Sequence, residues 1–200
     1  MNAKLNSRNS VRIIGGEHGS RRIEFKERPG LRPTGDRVRE TLFNWLQNKI
    51  PGARCLDLFA GSGALGIESA SRGASYVCFI ECDIPAADDI EKNVNKLKLQ
   101  GTQLFKANAE LWLDLCSMDS VEPFDIVYID PPFSELNRLL PNACRKLDTG
   151  GLLRPGSLIY IESADPVNIN YIPDSWSEFK FKRAGQVCAY LYKVAKEKKG

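Results

Sequence analysis

Histidine is nearly absent from this chain: His18 is the only one among 200 residues. The six cysteines (Cys55, Cys78, Cys82, Cys116, Cys144 and Cys188) include no Cys-x-x-Cys pair. Zinc centres draw on closely spaced cysteines and histidines, so no metal is expected. No apolar run approaches the roughly 18 residues of a membrane span, and no membrane association is expected. The first residues hold no apolar stretch of the secretory-signal kind. A cytoplasmic chain with reduced, mostly buried thiols is therefore expected. Repeats and low-complexity segments are missing too. What remains, at 42% hydrophobic and 26% charged, has the size and balance of one ordinary soluble domain with room for a full core. It is expected to be a monomer.

The net charge of +3 is mild but unevenly placed. Residues 1–40 carry ten lysines or arginines against five acids, which leaves eighteen against twenty in the remainder. The basic excess therefore belongs to an N-terminal arm, and such an arm suits a polyanionic partner. Arg21, Arg22, Arg28 and Arg32 lie in segments with too little apolar content to be core, which marks them as candidate RNA contacts.

Along the chain, residues 1–10 are polar and read as a disordered tail. Alternation at 11–15 and 21–26, punctuated by Gly15, Gly16 and Gly19, predicts a hairpin. A stiff basic loop with two prolines follows, then a helix over about 36–49. Its apolar face holds Val38, Leu42, Trp45 and Leu46, with Arg37, Arg39 and Glu40 elsewhere. The arm, 11–50, reads as an appendage to a core spanning 51–195, and 196–200 is a charged tail. Within the core, strands are predicted at 55–59, 76–81, 102–105, 124–129 and 157–162. Helices lie between them, and two late β segments at 178–183 and 186–194 close the chain. Strands alternating with helices predict a doubly wound, Rossmann-like α/β sheet.

The stretch 55–68 organises this core. Cys55-Leu-Asp-Leu-Phe59 suits a buried parallel strand broken by one acid. Ala60-Gly61-Ser62-Gly63 then forms a turn, and Ala64, Leu65, Ile67 and Glu68 are compatible with a helix. Strand, glycine turn and helix form the entry to a nucleotide-binding unit, because glycines admit a ligand and the helix start offers unpaired N–H groups. Gly61-Ser-Gly63-Ala-Leu-Gly66 also reads as the dinucleotide fingerprint, with Glu81 twenty residues beyond Gly61. Asp57 argues for a different cofactor: its carboxylate would repel a pyrophosphate but would suit the ammonium of S-adenosylmethionine. A nicotinamide oxidoreductase remains the rival.

A second motif, Asp130-Pro131-Pro132-Phe133, ends a predicted strand, where open α/β sheets bind ligands. Two prolines remove two N–H donors, which leaves the Asp130 carboxylate and the Pro131 carbonyl as acceptors. An aromatic ring follows directly. Such a site suits a flat group bearing an NH₂, and the exocyclic amines of guanine, adenine and cytosine are such groups. Accepting both N–H hydrogens returns electron density to nitrogen and aims its lone pair, while Phe133 stacks on a base turned out of its own stack. N6-adenine and N4-cytosine methylation fit these residues as well as guanine N2 does, and a silent rRNA-binding assembly factor is a further alternative.

Asp-Leu-Phe-Ala-Gly-Ser-Gly (57–63) followed by Asp-Pro-Pro-Phe (130–133) resembles the class I S-adenosylmethionine-dependent amino-methyltransferases. Further stretches narrow the match: 11–16, 31–46, 63–74, Ile-Tyr-Ile-Glu-Ser (159–163) and Ala-Gly-Gln-Val (184–187). With them the chain closely resembles the bacterial RsmD-type 16S rRNA guanine-N2 methyltransferases, from about residue 11 to 193. The match is most specific over 31–46. The resemblance implies a seven-stranded sheet with the last strand antiparallel. It further implies methylation of one 16S rRNA guanine within the assembled or assembling small ribosomal subunit. On the same ground Asp57, Phe59, Ala60, Gly61, Ser62 and Gly63 would hold the methionine part of S-adenosylmethionine. Glu81 would hold its ribose hydroxyls, and Asn108 and Ala109 its adenine edge. Asp130, Pro131 and Phe133 would be catalytic and hold the guanine.

Overall fold

A computed structural model describes residues 8–26, 35–116 and 121–195. An N-terminal hairpin, β1 (Arg8–Arg12) and β2 (Arg22–Lys26), leads to helix α1 (Asp36–Trp45). The core alternates β3 (Arg54–Asp57), α2 (Ala64–Ser71), β4 (Tyr76–Glu81), α3 (Ile84–Leu97), β5 (Thr102–Lys106) and α4 (Ala109–Leu115). It continues through β6 (Phe124–Ile129), α5 (Leu136–Thr149), β7 (Leu153–Ser163), a short 3₁₀ turn, β8 (Trp176–Ala184) and β9 (Val187–Val194). β1 begins inside the stretch read as a tail.

The seven-stranded sheet runs β5-β4-β3-β6-β7-β9-β8. Its first five strands are parallel to one another, and the last strand of the chain, β9, is antiparallel to both β7 and β8. The chain leaves β3 toward β4 and β5, then returns to the other side of β3 for β6 and β7. The order therefore reverses between β3 and β6, and a doubly wound sheet opens its ligand crevice at that point. β7 is longer than its apolar run suggests because it pairs with β6 in two registers. Phe124 faces Leu153 and Ile126 faces Leu158, and Ser157 spans the irregularity by donating to the Phe124 carbonyl at 2.7 Å.

Each face of the sheet carries one apolar layer. α1, α2, α3 and the hairpin bury Ile23, Phe25, Leu42, Phe43, Ile67 and Ile90 against Cys55, Val77, Phe79 and Tyr128. α4 and α5 bury Trp112, Leu140 and Leu147 against Leu56, Ile80, Val127 and Ile161. α2 packs so closely on β4 that a Cβ on Gly66 would lie 2.2 Å from Phe79. The third glycine of the fingerprint is thus a packing residue. Buried thiols fill space on both faces, and burial pushes Cys55, Cys78 and Cys144 up to about 12, far from the thiolate. Cys82 is exposed.

The arm shares the first of these layers. Gly16, at φ +78°, runs so close to α2 that a Cβ would sit 1.9 Å from the Ser71 carbonyl. Glu68, fully buried, accepts the N–H groups of Ile14 (2.6 Å) and Gly15 (2.8 Å) and the Arg72 guanidinium (2.7 Å). Arg39 corrects the expected polar face of α1: it is 1% exposed. It sits at the i, i+3, i+4, i+7 positions shared with Leu42, Phe43 and Leu46. Its guanidinium donates to the Arg12 carbonyl (2.9 Å) and to Asp36 (2.6 Å), and it lies 3.9 Å from Glu68. A buried charge needs such partners. On the other side of the hairpin, Asn93 exchanges hydrogen bonds with the Glu24 backbone and Asp89 accepts the Lys26 N–H.

Candidate active site

Backbone pairing fixes the glycine turn between its neighbours. Leu58 N–H donates to the Tyr128 carbonyl at 3.1 Å, and Ala60 N–H to the Ile80 carbonyl at 3.0 Å. Gly61 and Gly63, at φ +53° and +75°, complete a turn that enters α2. Asp57 faces Phe79 on one side and Tyr128 on the other. Glu81 and Asp130 therefore stand two residues further on, about 7 Å beyond Asp57 and roughly 10 Å apart across β3. The turn lies between them.

Asp57 does not offer the open carboxylate that a direct ion pair with a ligand requires. It is 2% exposed and accepts the Gly66 N–H at 2.9 Å, which ties strand to helix. Burial pushes it up to about 7, against the pull of that hydrogen bond. Glu81 is half-buried, and its two oxygens accept the N–H groups of Gly61 (2.6 Å) and Asp83 (2.7 Å). Ser62, Gly63 and Ala60 are buried, while Phe59 and Gly61 are half-buried. At the end of β5, Asn108 is exposed and caps α4 by accepting from Glu110 and Leu111. Ala109 is buried below it.

Beyond β6, Asp130 is half-buried, Pro131 buried, and Phe133 39% exposed at the mouth of the crevice. Pro132 accepts the Glu135 N–H at 2.8 Å, which locks the turn into α5. One further acid belongs here that the sequence does not single out as a site residue. Ile129 faces Ile161, so Glu162 on β7 stands level with Asp130. Glu162 is 4% exposed and accepts the Tyr160 hydroxyl at 2.8 Å. Burial, Glu162 and Asp130 together hold Tyr160 well above its ordinary range. The signal for it is an acid ending an apolar strand, which Asp57, Glu81 and Asp130 share.

Four neighbouring strands thus carry a carboxylate at or just beyond their carboxyl ends. Asp57 and Glu162 are buried, so Glu81 and Asp130, both half-buried, are the two that can take amines and hydroxyls and repel phosphate. The Gly61 N–H, which a pyrophosphate at the fingerprint would need, is already taken by Glu81. Among the described residues no group of three or more histidines, cysteines or acids is placed to hold a metal ion. The same residues contain no helix long and apolar enough to cross a membrane. Arg21 and Arg22 are exposed and, with Lys96, border a shallow depression of about 380 Å³. Arg28 and Arg32 lie outside the described residues.

The family described as "conserved hypothetical protein 95" matches residues 11–193. "Ribosomal RNA small subunit methyltransferase D" of Escherichia coli (strain K12) is 42% identical over 182 residues, which cover 91% of this chain and 89% of that protein. The chain belongs to this methyltransferase D family. A solved structure titled "Putative methyltransferase yhhF from Escherichia coli" superposes with a TM-score of 0.83 at 38% identity, covering 94% of this chain and all of that one. A putative SAM-dependent methyltransferase from Streptococcus mutans, 14% identical, shares the fold alone, with a TM-score of 0.63 over 88% of this chain and 51% of its own. The sheet of this chain is that of the class I methyltransferases, and the β3–β6 crevice with its acidic rim lies at its switch point.

Proposed function

We propose that the chain transfers a methyl group from S-adenosylmethionine to the exocyclic N2 of one guanine in 16S rRNA, on the assembled or assembling small ribosomal subunit. The observation that carries the cofactor assignment is the Glu81 carboxylate on the Gly61 N–H, with Asp57 buried beneath the turn. These residues fit a cationic sulfonium nucleoside and disfavour a dinucleotide. When bound, S-adenosylmethionine supplies an electrophilic methyl group. The chain's own residues orient the acceptor: Asp130 and the Pro131 carbonyl take the amine's hydrogens, and Phe133 stacks on the base. Asp130, which accepts an N–H of that amine, would also take the proton that the nitrogen loses as or after it is methylated. The relatives' names support the chain's small-subunit partner, and the family resemblance as a whole supports the choice of guanine.

Transfer of labelled methyl to small subunits that lack the modification, followed by nucleoside digestion, tests the proposal. Label in N2-methylguanosine is expected. Label in N6-methyladenosine or N4-methylcytidine would replace guanine with the other base, and absence of label would overturn the assignment.

Glu81→Ala tests the cofactor end. A charge-assisted contact is worth roughly 1.5–3 kcal/mol, so affinity for S-adenosylmethionine should fall by about one to two orders of magnitude. Glu81 also holds Gly61 and Asp83 in place, so part of this loss comes from a looser turn. Glu81→Gln keeps an acceptor and should lose less. Calorimetry showing wild-type affinity in folded Glu81→Ala would remove Glu81 from the cofactor site.

The arm is tested separately by the double reversal Arg21→Glu with Arg22→Glu. For every phosphate that the arm no longer neutralises, the slope of log affinity against log salt should become shallower by about 0.7–0.9. Small-subunit affinity should fall while S-adenosylmethionine affinity stays put. An unchanged slope would make the basic excess of the arm incidental.

A further inference from the structure

One outer edge of the sheet, β8, carries exposed rings and cations together. From Ser177 to Arg183 every residue of β8 is exposed. Its sequence alternates rings and cations: Phe179, Lys180, Phe181, Lys182 and Arg183. With Lys193 of β9, the two strands carry four cations against one carboxylate, Glu178. A β-bulge between Glu178 and Lys180 sets two residues against one on β9. Phe179 there lies 5.5 Å from the Lys180 ammonium and 5.7 Å from that of Lys193. Both lie within cation–π range of its ring.

Lysines protect an exposed sheet edge from pairing with other chains. That role explains Lys180 and Lys182 but not phenylalanines left 45% and 47% exposed. Phe181 packs one face on Tyr190, at 4.7 Å between centroids. The Phe179 ring, with the Lys180 and Lys193 ammonium groups beside it, presents a flat apolar surface framed by positive charge. Aromatic rings interleaved with cations form the surface that takes single-stranded nucleic acid, with rings under bases and cations on phosphates.

The position fits the same partner. Arg183 pairs with Cys188, which pairs with Ser163 at the carboxyl end of β7. The stripe therefore starts at the reaction end of the sheet, three strands and roughly 14 Å from β6. It runs away from the crevice along the edge. Lys182 reaches Thr41 of α1 at 3.2 Å, so the stripe adjoins the arm. The carboxylates of the crevice repel phosphate, which leaves basic surface outside it to hold the backbone.

We propose that this edge, Phe179 with Lys180 and Lys193, is a second RNA-binding surface for an unpaired segment of the substrate RNA. Phe179 stacks on one base, and Lys180 and Lys193 beside it hold phosphates. The assignment rests on the RNA-methylating function proposed above.

The test measures binding of the full chain to small ribosomal subunits and to a short fluorescein-labelled single-stranded RNA, across a salt series. Phe179→Ala should lower RNA affinity about tenfold with little change in salt slope, and Phe179→Trp should retain affinity. Lys180→Gln with Lys193→Gln should reduce the single-strand salt slope by about 1.4, or 0.7 for each phosphate released. S-adenosylmethionine affinity should not move in any of them. Wild-type affinity and slope in both the Phe179→Ala and the double-lysine variant would overturn the proposal. Self-association of the lysine variant with full RNA binding would overturn it too, and would show an edge that only blocks strand pairing. Methyl transfer by the unaltered chain is scored apart. If these variants lose RNA while wild type labels no guanine, the RNA surface stands and the target assignment falls.

Discussion

Turnover of Asp130→Ala is expected to fall by about 10²-fold or more, with S-adenosylmethionine affinity nearly unchanged. Asp130 sits beyond β6, across the glycine turn from Glu81 and roughly 10 Å away by register. Its loss should not disturb the cofactor end. The acceptor amine is a weak nucleophile because its lone pair is spread into the ring. A fixed carboxylate that accepts its N–H hydrogens returns density to nitrogen and holds the lone pair toward the methyl group. Removing one preorganised polar group of this kind typically costs about 10²–10³ in rate. Asp130→Asn keeps an oxygen acceptor but loses the charge, so an intermediate rate is expected. Phe133→Ala should weaken base positioning, whereas Phe133→Tyr keeps the ring and should be tolerated. Single-turnover methyl transfer decides the matter, and an Asp130→Ala rate within threefold of wild type would make Asp130 a structural residue.

Glu68→Ala should be the most destabilising single change at the seam between the arm and the core. Four groups converge on that carboxylate: the Ile14 and Gly15 N–H groups, Arg72, and the buried guanidinium of Arg39. Cutting one partner from a buried ion pair costs about 3–5 kcal/mol, because the remaining charge stays out of water. Arg39 keeps Asp36, which places the expected loss near the lower figure. At roughly 2–4 °C for each kcal/mol in a chain of this size, Tm should drop by about 6–12 °C. Arg72→Ala, at a position nearer solvent, should cost less. Hydrogen exchange should show faster opening of the hairpin than of β3 or β6 in the Glu68 variant. A melting temperature within 2 °C of wild type, read by calorimetry, would mean that the arm docks through its apolar contacts alone.

Much of this architecture is legible from local pattern. Apolar runs such as Phe124-Asp-Ile-Val-Tyr-Ile129 declare buried strands, and the spacing of Ile90, Val94 and Leu97 declares a helix face. Gly61, Gly63 and the paired prolines 131 and 132 mark the turns, because the constraint each imposes belongs to its own backbone. Element boundaries differ from that pattern by only a few residues where caps and bulges intervene, as at the end of α1 and the start of β7.

The pairings are decided elsewhere. Glu81 and Gly61 are twenty residues apart, and only the placement of β4 beside β3 puts one on the other. Asp57 has the sequence setting of an open ligand contact, yet α2 folds back and buries it on Gly66. Arg39 has the setting of a surface residue, yet the arm closes over it beside Glu68. Glu162 gains its place only when β7 aligns with β6, and Phe179 its outward ring only when the bulge forms in β8. Sequence alone thus determined the element types, the turn chemistry and the two motifs, because these depend on neighbours along the chain. Strand order, charge burial and the assembly of the acidic rim depend on contacts between residues far apart in sequence, and tertiary packing alone supplied those.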